Sequence, residues 1–388
     1  MTCEYDAIVL GLGGIGSGAA YWLAKRGARV LGIEQFALGH ARGESHDHSR
    51  IIRLSYVTPA YVRLAKAAYA AWEMLEGDAH ERLVVRTGGL DLGPRDGAIP
   101  IDGYAEAMHA CDVPFERLDA GEIRRRWPAF RIGDDVHGLF QERGGIVAAE
   151  RATAAHQRLA RQFGATLIEN APVTRVHAGA GEIVVETESQ RYRAARLIVA
   201  AGPWSARILR DLDVRLPLEV TKEQAMYFAA RDPARFAVGS FPVWIWMDDP
   251  SFYGFPVFGE ADCVKVTQDA GGRPVDPDTR SFDEDEAITR RVRAFLSRYL
   301  PDCGGPLVRV KTCLYTLTPD RDFVIDRLPQ YPGVCVAIGA GHAFKFASLI
   351  GRVLCEIALD GTTHHDIADF RIDRPILQME TPPTTYMV

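Results

Sequence analysis

The chain has 388 residues, 47% hydrophobic and 25% charged, the make-up of an ordinary globular protein long enough for two domains. A net charge of −6, from 45 basic and 51 acidic residues, points away from nucleic acid and from anionic membrane surfaces as partners. The seven cysteines (Cys3, Cys111, Cys263, Cys303, Cys313, Cys335 and Cys355) are scattered without a Cys-x-x-Cys pair, which argues against a disulfide framework and structural zinc and fits a reduced, cytoplasmic setting. No signal peptide is read ahead of the first strand, no apolar run reaches membrane length, and the closing TTYMV is not a peroxisomal address.

Residues 5–34, YDAIVLGLGGIGSGAAYWLAKRGARVLGIE, read as strand, helix and second strand. Gly11, Gly13 and Gly16 form G-x-G-x-x-G at the strand-to-helix turn. Gly11 allows the tight turn, Gly13 lets backbone approach a pyrophosphate, and Gly16 lets helix and strand touch. The peptide groups of Gly14 and Ile15 belong to the same anion-binding helix start. Glu34 ends the second strand 23 residues after Gly11, where a carboxylate can accept ribose hydroxyls. The pattern predicts a dinucleotide, FAD or NAD rather than NADP.

A polar stretch follows, QFALGHARGESHDHSRIIRLSY, where an NAD domain would usually proceed to another helix and strand. Helices are predicted over 58–76, 150–164 and 284–299, and further nucleotide-domain strands over 195–200 and 333–338. The turn Ala201-Gly202-Pro203 either lets backbone pass close to a ligand or is a plain strand–helix turn. Between these elements lie strand-rich inserts such as LVVRTGGLDLG, FPVWIWM, SFYGFPVFG and LVRVKTCLYT. The expected fold is α/β: a Rossmann-like nucleotide domain from 1–85, 145–215 and 318–388, interleaved with a mixed or antiparallel-sheet substrate domain from 86–144 and 216–317. The run 269–286 reads as a solvated loop.

Several residues stand out for chemistry. On a strand, Cys313 and Tyr315 share a face, and Lys265 lies opposite Val264 and Val266. Arg50 and Arg53 are three apart, which makes them neighbours if the segment is helical. Lys345 sits at the start of a largely buried helix, where a lysine is costly unless it meets an anion. For each there is a plainer reading: core cysteine, sheet aromatic, solvated cation.

Together HDHSRIIR, AAGPW, KTCLYT and GAGHAFKF, in that order behind the glycine turn, resemble the sarcosine oxidase family of flavoproteins, which includes N-methyltryptophan and pipecolate oxidases. The resemblance covers almost the whole chain. It implies FAD attached covalently through Cys313, which sits in the family's C-M/L-Y-T context. It implies Arg53 and Lys345 as carboxylate ligands, Arg50 and His46 beside the flavin, Tyr253 and Tyr315 in the active site, and Lys265 activating O2. Gly202 and Gly341 are placed with the cofactor and His342 with the substrate; His48 reads as a loop histidine.

Three departures concern the substrate end. Asp269 stands where sarcosine oxidase has a histidine; it either lines the pocket or only begins the loop. The loop GAGHAFK is one residue shorter than the family's GFSGHGFK, and VWIWM (243–247) is bulkier than in the sarcosine enzyme. The expectation is oxidation of an N-methyl or cyclic amino acid to an imine with H2O2 formed from O2, by a monomer or small homo-oligomer. The alternatives are a dehydrogenase that passes electrons elsewhere and a catalytically silent flavoprotein subunit.

Overall fold

The computed structural model describes residues 4–179, 181–383 and 385. Cys3 and, apart from Thr385, the closing TTYMV lie outside the described residues.

Apolar runs long enough for a strand but too short for a helix build the centre of the nucleotide-type sheet. Tyr5–Leu10 lies between Arg191–Val199 and Val30–Ile33, parallel to both. Tyr331–Ile338 and Thr166–Ile168 extend the parallel set at either side. The antiparallel strands Val173–Ala178, Ile183–Thr187 and Val324–Leu328 bring the sheet to eight. Leu10, Ile33, Val199 and Ile338 are buried, as expected where helices cover a parallel sheet. The helix Gly14–Lys25 packs in one core with Ala149–Gln162 and Ala347–Asp360.

The second sheet has nine strands, drawn from 89–141 and 219–317. It is mixed: Val243–Trp246 runs parallel to Gly89–Pro94, while the neighbours at the site pair antiparallel. Those neighbours are Leu307–Leu317, Glu219–Ala229, Cys263–Gln268 and Phe252–Phe255, in that spatial order. Alternation divides their side chains. Val264, Val266, Trp244, Trp246 and Phe252 join a core with Phe295 of the helix Glu286–Tyr299, and Trp244 stacks on Phe295 at 5.6 Å. The other face carries Lys265, Tyr253 and Tyr315. A third, three-stranded sheet joins Ser49–Ile52 to Gly145–Ala148 and Val84–Arg86.

The long helix Pro59–Ala79 starts with Thr58 as its cap and proline in the first turn, and stops at His80 in a left-handed conformation. It fixes two distant turns by hydrogen bonds. Trp72 Nε1 donates to Lys345 O at 2.7 Å, and Tyr61 Oη donates to Asp322 Oδ1 at 2.9 Å. Among the described residues no helix is long and apolar enough to cross a membrane.

Candidate active site

At Gly11 the chain turns with φ 86°, and a Cβ there would lie 2.5 Å from Ala200 O. Gly16 packs so tightly that its Cβ would lie 1.8 Å from Gly11 O. The helix beginning at Gly14 has no side-chain cap, and Gly14 N donates to Ser45 Oγ at 2.8 Å. This end opens on a cavity of about 360 Å³ bordered by Gly11, Gly13, Gly14, Ile15, Glu34 and Gly202. Glu34 accepts from Leu12 N at 2.9 Å and Phe36 N at 3.2 Å. Burial pushes its carboxyl up, but His40 and these two N–H groups outweigh that and hold it below its ordinary value. An open helix N-terminus beside an ionised acid at the next strand end is the donor and acceptor set that a dinucleotide's pyrophosphate and ribose require. The residues fit FAD. His46 also borders this cavity, kept neutral by burial and the nearby Arg50, which lower it to about 3.

A second cavity, about 150 Å³, shares Gly14, Ile15, Glu44, Ser45 and Gly339 with the first. Here the structure brings together residues from five parts of the chain: Arg50 and Arg53, Tyr253, Asp269, Tyr315, and His342 with Lys345. Gly341 borders this cavity rather than the first. Arg50 lies on a strand, not a helix, and Arg53 just beyond the strand's end, so both reach the cavity without helical spacing. Lys345 sits in the short turn Ala343–Phe346 that precedes the buried helix rather than within it. Asp269 is in the cavity wall: its Oδ2 accepts from Arg321 at 2.9 Å and its Oδ1 from Tyr315 Oη at 3.4 Å. Tyr253 and Tyr315 meet hydroxyl to hydroxyl at 3.2 Å. The tryptophans of VWIWM face away, and strand alternation presents Ile245 and Met247 to the cavity in their place. The inference from tryptophan bulk therefore fails. The run 269–286 is also not simply solvated, because Arg280 is buried and donates to Thr312 Oγ1 at 2.8 Å.

Arg53 is 6% exposed, 3.5 Å from Asp91, and its Nε and Nη1 make no hydrogen bond. Lys345 has no hydrogen-bonding or ion-pairing partner for its Nζ among the described residues, and burial, with Arg53 adding repulsion, lowers it to about 7. Arg50 is aimed by backbone oxygens, donating to Glu44 O at 2.7 Å and His46 O at 2.8 Å. Of the cations bordering the cavity, Arg53 is beside Asp91, Arg321 is paired with Asp269 and Arg50 is held by backbone oxygens. Lys345 is left without a partner among the described residues, and its ammonium calls for an anion.

Lys265 and Cys313 border neither cavity. Lys265 is buried with Nζ 2.5 Å from Asp47 Oδ2 and 3.0 Å from Ser49 O. Cys313 is half-buried on the sheet face of Tyr315; burial pushes its thiol up to about 11, with Arg50 pulling the other way. His48 lies near Glu150 and Glu260, at 3.5 and 4.0 Å.

Four residues at the site are absent from the sequence reading: Asp91, Arg321, Asp47 and Glu44. Asp91 carried a usable signal, since an acid inside the apolar strand GLDLG has to meet a cation. Glu44 borders both cavities, accepts from Thr316 Oγ1 at 2.5 Å and is raised to about 7 by burial. Arg321 and Asp47 sit in polar runs that look like any loop.

Residues 6–357 match the family model DAO, FAD dependent oxidoreductase. The chain is 38% identical to the monomeric sarcosine oxidase of Streptomyces avermitilis over 95% of this chain and 97% of that protein. It is 32% identical to the N-methyl-L-tryptophan oxidase of Salmonella arizonae over 96% and 99%. The solved structure of NikD, described as an unusual amino acid oxidase essential for nikkomycin biosynthesis, superposes with a TM-score of 0.86 at 30% identity, covering 95% of this chain and 98% of that one.

Proposed function

We propose a secondary amino acid, N-methylated or cyclic, as the substrate of this chain, which belongs to the FAD dependent oxidoreductase family and is a sarcosine-oxidase-like amino acid oxidase. The observation that carries the amino acid's carboxylate is a buried cation in the small cavity with no partner among the described residues. Arg53 offers a planar fork whose buried Nε and Nη1 make no hydrogen bond, Nη1 being 3.5 Å from Asp91, and Lys345 adds a cation without a partner among the described residues. Both suit one carboxylate.

FAD, when bound, supplies the two-electron oxidant and hands the electrons to O2, so the C–N bond becomes an imine and O2 becomes H2O2. The glycine turn, Glu34 and Gly202 would hold its dinucleotide part, and Cys313 would carry it by a thioether, the sulfur replacing a hydrogen on a flavin carbon while the two electrons released pass to O2. Arg50, fixed by backbone oxygens, would offer the bound flavin a positive charge. Arg53 and Lys345 hold the substrate carboxylate, and the Tyr253–Tyr315 pair closes the site on the sheet side. The apolar side chains of Ile245 and Met247 take the substrate's carbon skeleton. Lys265 supplies the cation that oxygen chemistry requires as negative charge develops on O2.

The test is a peroxide assay of the flavin-loaded protein across N-methyl and cyclic amino acids, with the matching simple amines alongside. Peroxide from the amino acids and almost none from the amines is the expected result. Equal rates for the amines would refute the carboxylate clamp.

A further inference from the structure

We propose that Asp47 is a positioning residue for the oxygen step, the fixed counter-ion that keeps the buried Lys265 charged and in place. This rests on the reading of Lys265 given above and deepens it.

Lys265 is 3% exposed, and its ammonium lies 2.5 Å from Asp47 Oδ2, 3.0 Å from Ser49 O and 4.7 Å from the centre of the Phe255 ring. A lysine so buried keeps its proton only if an anion is built in beside it. Asp47 is equally buried, and its backbone is in the left-handed region at φ 93°, a costly conformation for a residue with a Cβ. The surroundings hold it there. Asp47 N donates to Glu150 Oε1 at 2.9 Å, Asp47 Oδ1 accepts from Tyr227 Oη at 2.5 Å, and Lys311 Nζ is ion-paired with it at 3.1 Å. Strain kept in place by four neighbouring elements marks a position chosen for its side chain.

The charges facing the pair come from every element packed on it. Arg50 Nη1, from the strand Ser49–Ile52, is 4.0 Å from Asp47 Oδ2. Lys311 and Cys313 come from Leu307–Leu317, Tyr227 from Glu219–Ala229, Glu150 from the helix Ala149–Gln162, and His46 and His48 flank Asp47 in sequence. Three cations, Lys265, Lys311 and Arg50, thus converge on Asp47, and Glu150, 3.7 Å from Lys311, is half exposed. Burial pushes Lys265 below its ordinary value, Asp47 pulls it up and Arg50 pushes it down. Removing the Asp47 charge leaves burial and two like charges acting together. The lysine would then lose its proton at a lower pH than in wild type.

The experiment compares wild type, Asp47→Asn, Asp47→Glu and Lys265→Met as flavin-loaded proteins. One readout is a pH titration of the resting flavin spectrum, with no turnover. The other is reoxidation of the reduced protein by O2. Wild type should show no spectral transition and a flat reoxidation rate over about pH 6 to 9. In Asp47→Asn both readouts should share one midpoint, with reoxidation falling up to about tenfold per pH unit above it. Asp47→Glu should move that midpoint back up, and Asp47→Asn combined with Lys265→Met should abolish it. A pH-independent loss in Asp47→Asn, or no change at all, overturns the proposal. A spectral transition in Asp47→Asn together with unimpaired reoxidation in Lys265→Met would leave the ion pair standing and overturn the oxygen reading. If Asp47→Asn fails to load, the double variant, which no longer buries a lone cation, should load; its failure too would overturn the proposal.

Discussion

Arg53 and Arg321 border the same small cavity, and each is tied to an aspartate of its own, Asp91 at 3.5 Å and Asp269 at 2.9 Å. Lys345 has no such partner. Its proton is therefore the one that a bound carboxylate should control.

The sign follows from the lowered value of about 7 in the ligand-free cavity. Below that pH Lys345 is already charged and an anion binds without proton uptake. Above it, binding must take up a proton, so affinity falls as pH rises. For a carboxylate ligand without an amine, Kd should be flat in mild acid and rise up to about tenfold per pH unit above neutrality. Titration of the flavin spectrum with such a ligand measures this. Lys345→Met should flatten the profile and weaken binding by about two to three orders of magnitude. A steep profile in that variant would assign the proton to another group.

Arg53 should tolerate lysine poorly. Its donors Nε and Nη1 are buried without a hydrogen bond among the described residues, and it lies 4.8 Å from the Tyr56 ring and 5.9 Å from that of Tyr104. Lysine keeps the charge but loses the fork and the stacking surface. Arg53→Lys should lose at least about tenfold in kcat/KM for an amino acid substrate, and Arg53→Met about a hundredfold or more. Near-equal activity of Arg53→Lys would reduce the residue's role to a point charge.

Cys313 should retain flavin through acid precipitation, with the added mass on the peptide that contains it. Attachment needs the thiolate, and the resting thiol is raised to about 11 by burial, so attachment should speed up as pH rises. Reconstituting flavin-free protein at several pH values checks this. Cys313→Ser should still bind FAD through the glycine turn, without the covalent link. A colourless pellet from fully loaded wild type would end the assignment.

The glycine turn, Glu34 and the order of the nucleotide-domain elements were legible because they are local. A tight turn needs φ > 0 at Gly11, and a carboxylate at a strand end needs no distant partner to be recognised. Alternation told correctly which face Lys265 occupies relative to Val264 and Val266. The failures are those of tertiary placement. VWIWM looked like bulk in a pocket, yet Trp244 and Trp246 pack on the helix Glu286–Tyr299, since composition alone does not say which face of a strand meets which layer. Asp91 meets Arg53 from 38 positions away, and Arg321 meets Asp269 from 52. No spacing rule reaches that far. Arg280 crosses from an apparently solvated loop to Thr312 for the same reason.

Substrate size is the remaining prediction, and it now rests on the walls that the structure puts in place of the tryptophans. Ile99, Ile245 and Met247 give the cavity apolar lining, while Asp269 and Arg321 give it polar lining. Sarcosine offers the apolar lining only its methyl group. A methylene buried there contributes about 0.8 kcal/mol, so a cyclic or branched secondary amino acid with three more carbons should gain about 2.4 kcal/mol, or about sixtyfold in kcat/KM. Asp269→Asn should then separate the two linings. It keeps the shape and removes the charge paired with Arg321, so it should alter selection among substrates with polar side groups. The ratio between sarcosine and its larger apolar relatives should change by less than about threefold. Side-by-side kcat/KM values for sarcosine, an N-methyl amino acid with a branched side chain and a six-membered cyclic amino acid decide the matter. If sarcosine is the best of the three, the apolar lining does not select for size and the cavity is built for the smallest substrate.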